Sequence, residues 1–379
     1  MSEGNTTIQR PVSRRLLSID VLRGLTVAFM ILVNNNGNNA LAFRMLNHAE
    51  WNGFTPTDLV FPTFLLIMGI SMELSFPARE GLSRTVQAVG IARRFALLFL
   101  LGLIVNGFPF FHWESLRIYG VLQRIAVCYL LAALLQRIPA KIVAWIALVI
   151  ASLAGYWALL RYLPVPGYGV PTHGFPLLDK DINIAAWLDR QIFPRRLFEG
   201  TRDPEGLLSD LPALGTTLIG LLAGAWLKTQ FSARQKLRAL LGSGVLMLLA
   251  GWLWSFSFPI NKKLWTSSYV LFAAGWGLLL LALVFYVVEM RQWRDLWAKP
   301  FLVFGRNAIT AYVFSELLSS VVSVLHVNPR QSIQQYVYAG VFVQLGTPAI
   351  GSLIYSVLFV LICFLPAAWL YRRHIFLRL

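Results

Sequence analysis

Five segments of this 379-residue chain run for 17 to 25 residues without one charged side chain: Phe95–Phe111, Ile142–Leu160, Leu211–Leu227, Leu240–Ile260 and Leu264–Val288. A helix of about 20 apolar residues spans the ~30 Å hydrocarbon layer of a bilayer. Four further apolar segments carry isolated charges: Leu16–Val33 (Asp20, Arg23), Leu59–Phe76 (Glu73), Ile118–Leu135 (Arg124) and Pro300–Leu325 (Arg306, Glu316). The last, Val337–Tyr371, is uncharged and too long for one span. It reads as a short interfacial or re-entrant piece followed by a helix from about Ala349 to Tyr371. The expectation is an all-α polytopic membrane protein with about ten transmembrane helices. Composition agrees: 57% of residues are hydrophobic and only 13% charged, against ~25% charged in soluble proteins. A set of soluble domains, a disordered chain and a disulfide scaffold are excluded. Both cysteines, Cys128 and Cys363, lie inside apolar runs and read as small hydrophobes.

The formal charge of +16 would suggest nucleic acid in a soluble protein. In a membrane protein its distribution matters more. With the N-terminus inside, nineteen Lys and Arg fall on inner segments, from Arg10, Arg14 and Arg15 to Arg372, Arg373 and Arg378. The short outer loops hold five (Arg44, Arg117, Lys262, Lys263, Arg330) and a long outer loop at about 161–210 holds six. This positive-inside bias places both termini in the cytoplasm. The basic excess then faces anionic lipid, and no nucleic-acid partner is expected. The chain divides into a cytoplasmic tail, 1–15, and one transmembrane domain, 16–379. Asp20 and Arg23 interrupt the first apolar stretch, which argues against a cleaved signal peptide.

Ionisable groups inside spans are costly and mark function by default. Asp20, Arg23, Arg306 and Asn307 fall near the inner surface. Asn34, His48, Asp58, Arg117, Gln123 and Arg124 fall in the outer half, with Glu316 near the middle and Asp203 and Glu205 closing the long loop. Each has a plain structural reading. Asp20 and Arg23 suit an i,i+3 pair, Arg124 and Glu316 an interhelical pair, and Asp203-Pro204-Glu205 a helix start. Four of the five His lie outside, but no HxH or HExxH spacing occurs, so no metal is expected. Together the polar groups outline an inner vestibule, an outer vestibule and a path between. That suits a transporter, and equally an enzyme whose two substrates arrive from opposite sides.

Several blocks resemble the heparan-α-glucosaminide N-acetyltransferase family. They are Leu17-Ser18-Ile19-Asp20-Val21-Leu22-Arg23-Gly24-Leu25, Val33-Asn34-Asn35, and the specific stretch from His48-Ala49-Glu50-Trp51 to Thr57-Asp58-Leu59-Val60-Phe61-Pro62. Arg117–Arg124, Asp203-Pro204-Glu205-Gly206, Gly305-Arg306-Asn307-Ala308 and Tyr371–Phe376 also fit. The resemblance implies acetyl transfer from cytosolic acetyl-CoA to the amine of an amino sugar on the far side of the membrane. It identifies His48 as the catalytic His and Asn34 as the catalytic Asn, with Asn35 and Asn36 as rival assignments. A compact ten-helix form is similar to bacterial members, which points to the inner membrane and a small amino-sugar acceptor, and the family resemblance implies a homodimer.

On that reading His48 serves either as the base that deprotonates the amine or as a covalent acetyl acceptor. Asn34 and Arg124 are candidate oxyanion donors. Asp58 orients His48 or the sugar ammonium, and Asp203 and Glu205 bind the acceptor. Asp20, Arg23, Arg306 and Asn307 form the acetyl-CoA side, where the arginines suit its phosphates. The alternative is a secondary transporter of an amino sugar such as N-acetylglucosamine, against which the absence of an inverted repeat counts. O-acetylation of a polysaccharide would use the same His and donor.

Overall fold

The structure is a computed structural model that describes residues 16–76, 81, 83–138 and 141–376. The expected tail 1–15, and Arg79 and Arg378 among the orienting residues, lie outside them. The described chain is helical: α1 (Leu17–Asn34), α2 (Val60–Ser75), α3 (Arg84–Gly107), α4 (Val121–Leu135), α5 (Lys141–Tyr162), α6 (Ile184–Ile192), α7 (Asp210–Lys228), α8 (Ala233–Trp254), α9 (Ser267–Phe285), α10 (Ala298–Arg306), α11 (Ala308–Val324), α12 (Ile333–Val337) and α13 (Pro348–Arg372). A two-stranded antiparallel hairpin, His326–Asn328 with Gln331–Ser332, is a minor ornament. Eight helices among the described residues are long and apolar enough to cross a membrane, nine if α10 and α11 count as one broken span, and α4 is a shorter apolar helix. The protein is an all-α polytopic membrane protein.

Two of the expected spans differ in detail. Pro300–Leu325 is not straight: α10 and α11 meet at 84°. The break falls at Asn307, whose backbone leaves helical geometry at φ −120°, ψ 35°. Just before the break α10 crosses α1 at close range. A Cβ on Gly24 would stand 1.7 Å from the Phe301 carbonyl oxygen, and one on Gly305 1.9 Å from that of Asp20. Only glycine admits this approach, and close backbone contact is what holds helices together where lipid is as apolar as any side chain. The second difference is α3, which begins eleven residues before the expected Phe95. Ser83 caps it by accepting from the Val86 amide at 3.3 Å, so its first turns carry Arg84, Arg93 and Arg94 on a polar extension of an apolar helix.

The bundle has an inner and an outer tier. The most apolar window of α2 is 72% buried and that of α3 only 11%. Helices α1, α2, α7 and α9 form the centre, where Leu22, Leu65, Leu66, Ile70, Ala213 and Leu281 share one core. Helices α3, α5, α8 and α13 keep apolar faces outward, as a membrane solvent allows. Short loops and the 163–206 segment, which contains α6, gather at one end of the bundle. We name that end for His48 and the other for Arg23.

Candidate active site

The segment between α1 and α2 carries His48. A turn of 3-10 helix, Pro56–Leu59, ends the segment; Thr55 caps it, and Asp58 is both the carboxylate of that capping box and the partner of His48. One Asp58 oxygen accepts from the amides of Thr55 (2.9 Å) and Ala49 (3.3 Å); the other meets His48 Nδ1 at 2.7 Å. Tyr269 of α9 donates to the Asp58 carbonyl at 2.6 Å, and Asn261 Nδ2 to Asn52 Oδ1 at 3.1 Å. The loop is therefore pinned from outside itself. An ionised carboxylate only accepts hydrogen bonds, so Nδ1 of His48 carries the proton and Nε2 keeps its lone pair. The His48 side chain is 39% exposed and that of Asp58 only 1%. The imidazole is reachable; its carboxylate partner is not.

Lys262, from the loop before α9, places Nζ 3.4 Å from His48 Nε2. Burial lowers the His48 pKa below 6.5 and the Lys262 charge lowers it further, against the opposing pull of Asp58. Burial likewise lowers Lys262, opposed by Glu205 and Asp58. His48 is thus neutral over most of the physiological range, which a proton acceptor requires.

The three consecutive asparagines part company. Asn34 is exposed to the interior space, and its side chain meets Glu316 of α11. Asn35 and Asn36 are 4% and 3% exposed. Asn35 donates to the Ile31 carbonyl at 2.8 Å, and Asn36 ties together Val33, Leu46, Asn47 and Ser356. Both are spent on holding the end of α1.

Glu205 joins this end through Arg117, whose Nη2 lies 2.6 Å from Glu205 Oε2. Burial alone would raise the Glu205 carboxyl, but Arg117, Lys262 and Arg124 override it and hold its pKa below 4.5. Asp203 lies behind Arg117, bound to its Nε at 2.9 Å and to the Phe198 amide at 3.1 Å, away from the open space. Arg124 is fully buried. It pairs with Asp210 at 3.0 Å, donates to the Gly206 carbonyl at 2.9 Å and to Ser209, and packs over the Trp265 ring at 5.0 Å. The expected partner Glu316 is not its partner, and Arg124 does not reach the cavity. Both residues brace the 203–210 turn that presents Glu205.

At the other end Arg23 bonds Asp20 (3.0 Å), the Gly305 carbonyl (3.2 Å) and Ser71 Oγ (2.6 Å). Arg306 stacks over Tyr371 and Phe376 at 5.5 and 5.8 Å, and its buried Nε has no partner among the described residues. Asn307 is buried at the helix break, off the cavity wall, with neither amide atom bonded among the described residues.

One cavity of about 1780 Å³ is lined by both ends. Around Arg23 its wall holds Arg93, Arg94, Arg137 and Arg306 with Asp20. Around His48 it holds Asn34, Glu50, Arg117, Glu199, Glu205, Lys262 and Lys263. Between them lie Phe64, Ile67, Leu98, Leu122, Ile125 and Ile309. The cavity thus brings together Asp20, Arg23 and Arg306 at one mouth and His48, Asn34 and Glu205 at the other, while Asp58 stands behind His48. Among the described residues no cluster of His, Cys, Asp or Glu is placed to hold a metal ion.

Lys262 and the α3 arginines carry no site signal in the sequence, and Glu316, read there as a partner of Arg124, instead meets Asn34. Lys262 is 214 residues from His48 and reads there only as an outer-loop charge. Arg93 and Arg94 read only as orientation signals, because α3 was expected to start after them.

A family model described as heparan-alpha-glucosaminide N-acetyltransferase, catalytic, matches residues 15–253. The human protein named heparan-alpha-glucosaminide N-acetyltransferase is 31% identical over 362 residues, covering 81% of this chain and 53% of its own length. The mouse protein of the same name is 29% identical over 372 residues, covering 82% of this chain and 55% of its own. The chain spans about half the length of these curated relatives. With the matched region running through the His48 loop and both ends of the cavity, this chain belongs to the heparan-alpha-glucosaminide N-acetyltransferase family.

Proposed function

We propose that this protein moves an acetyl group from acetyl-CoA, bound at the Arg23 end, to the amine of a glucosamine-like sugar at the His48 end. The observation that carries the reading is the cavity shared by the two ends, cationic at one and built around a neutral His at the other. Family membership and the relatives' names support the reaction class. The basic-residue bias supports cytoplasmic termini and a donor entering from the cytoplasm, and the resemblance to bacterial members supports a bacterial inner membrane.

The residues at the Arg23 end suit a CoA. Five guanidinium groups line that mouth against one carboxylate, Asp20, which is already bonded to Arg23. The buried Nε of Arg306, unbonded among the described residues, is a donor awaiting an acceptor. Planar guanidinium forks match phosphate oxygens in pairs. Arg23 and Asn34 are eleven residues apart on α1, ~16 Å at 1.5 Å per residue, so an extended thioester arm must bridge the apolar middle.

At the His48 end, Glu205 attracts the acceptor's ammonium toward Nε2. His48 takes a proton from the amine, and Asp58 holds the ring in the tautomer that allows it and stabilises the resulting imidazolium. The free amine attacks the acetyl carbonyl, and the Asn34 amide donates to the oxygen as negative charge develops there. The same Nε2 can instead carry the acetyl group between two half-reactions.

The test uses the purified full chain in sealed vesicles, with acetyl-CoA on one face and glucosamine on the other. N-acetylglucosamine and free CoA should appear on opposite faces. The proposal fails if neither forms, or if His48→Ala leaves the rate intact. Counterflow of labelled sugar without acetyl-CoA would replace it with transport, and an O-acetyl product with sugar O-acetylation.

A further inference from the structure

A primary amine already stands where the acceptor amine must stand. His48 Nδ1 is committed to Asp58, so Nε2 is the nitrogen left for chemistry, and Lys262 Nζ lies 3.4 Å from it on the same cavity wall. That contact lets a proton pass between the two nitrogens and keeps Nζ beside any acetyl group delivered to His48. The neighbouring Lys263 is placed differently: its Nζ is held by Glu199 at 2.7 Å. Lys262 makes no ion pair among the described residues and turns to the His instead. Burial also favours its uncharged form.

We infer that Lys262 is itself an acetylation site, taking the acetyl group onto Nζ when no amino sugar occupies the His48 end. This rests on the acetyl-transfer reading above. The Lys262 ammonium gives one proton to His48 Nε2, and the free Nζ attacks the acetyl carbonyl carbon. A C–N bond forms and the thioester C–S bond breaks. Of the two protons the ammonium loses, one ends on the departing thiolate as CoA thiol, and His48 passes the other to water. If the acetyl group first sits on Nε2, the CoA thiolate has already left and taken a proton from water; the Lys262 ammonium then gives one proton to water, the free Nζ attacks, the acyl-imidazole C–N bond breaks, and the released Nε2 takes the second proton and passes it to water. The product is N-acetyl-lysine. Its amide fills the acceptor's place and removes a positive charge beside His48, so the modified enzyme is blocked toward sugar.

The experiment incubates the purified full chain with isotope-labelled acetyl-CoA, with and without glucosamine, and maps labelled lysines by peptide mass spectrometry while assaying N-acetylglucosamine in the same tubes. Label should accumulate on Lys262 and not on Lys263, fall when glucosamine is present, and be lost in His48→Ala. Lys262→Arg, which keeps the charge, should take up no label at that site and should not lose sugar acetylation on prolonged exposure to acetyl-CoA alone. Sugar acetylation with Lys262 unlabelled overturns this inference and leaves the function standing. Equal label on Lys262 and Lys263, or label that persists in His48→Ala, marks non-enzymatic chemistry and also overturns it. Neither product overturns the functional reading and the inference with it. Labelled Lys262 without acetylated sugar supports the inference and overturns glucosamine as acceptor.

Discussion

The two ends of the cavity solve different problems. At the Arg23 end charge of one sign predominates: arginines from α1, α3, the α4–α5 turn and α10 converge with one acidic partner on the wall. At the His48 end both signs are interleaved, and nearly every group is oriented by another: Asp58 by Thr55 and Tyr269, His48 by Asp58, Glu205 by Arg117. A concentration of like charge suits capture of a highly charged molecule and tolerates loose geometry. A mixed, cross-braced set suits chemistry, where a small displacement costs rate. On the proposed function, the difference assigns binding to one end of the cavity and reaction to the other.

Substitutions can break that division, and the largest effect should come from His48. His48→Ala should lower kcat for acetyl transfer by about 10²–10⁴, the usual worth of a positioned acid–base group, with acetyl-CoA binding kept, measured by turnover beside equilibrium binding of CoA. Asn34→Ala should cost up to about 10²–10³ in kcat if its amide serves the oxyanion, whereas Asn36→Ala should lower thermal stability and spare kcat. Arg124→Ala leaves Asp210 buried without its cation, a loss of about 3–5 kcal/mol of stability. Detergent melting should show it, with an unchanged acetyl-CoA KM in the protein that survives.

At the opposite end, Arg306→Ala should raise the KM for acetyl-CoA about ten-fold, the loss of one charge-assisted bond of ~1.5 kcal/mol, and leave the sugar KM alone. A matched rise in both KM values would undo the separation of roles. The smallest effect concerns pH. His48 must be neutral to accept a proton, and its pKa lies below 6.5, so activity should persist below that pH and fall as acid protonates the ring. Lys262→Met removes a positive charge beside Nε2, raising the His48 pKa and moving the acid limb of the kcat/KM profile to higher pH. A limb that stays put would mean that Lys262 does not act on His48.

Much of this was readable in the sequence, for reasons particular to a membrane. The bilayer demands long apolar runs, so the spans announce themselves, and a charge within one stands out against its background. Asp20, Arg23, His48, Asp58 and Glu205 were visible on those grounds or by family likeness. The 84° break at Asn307 was not, because no proline marks it and the Gly24–Gly305 approach beside it joins residues 281 apart. Arg124 misled for the opposite reason. A buried arginine in a span looks functional, and only the structure reveals that Asp210, Gly206 and Ser209 consume it. Lys262 was overlooked because an outer-loop lysine carries no signal until the fold sets it against His48.

The apolar waist between the two mouths has a further consequence. The proposed reaction needs a cavity reached from both faces, which is a potential short circuit for the membrane voltage, yet Phe64, Ile67, Leu98, Leu122, Ile125 and Ile309 offer a hydrated ion nothing in exchange for its water. On the proposed function they would serve as electrical insulation through which a flexible, largely uncharged arm passes while protons and salt are kept apart. A charged residue placed there should make the cell leak before it makes the enzyme slow.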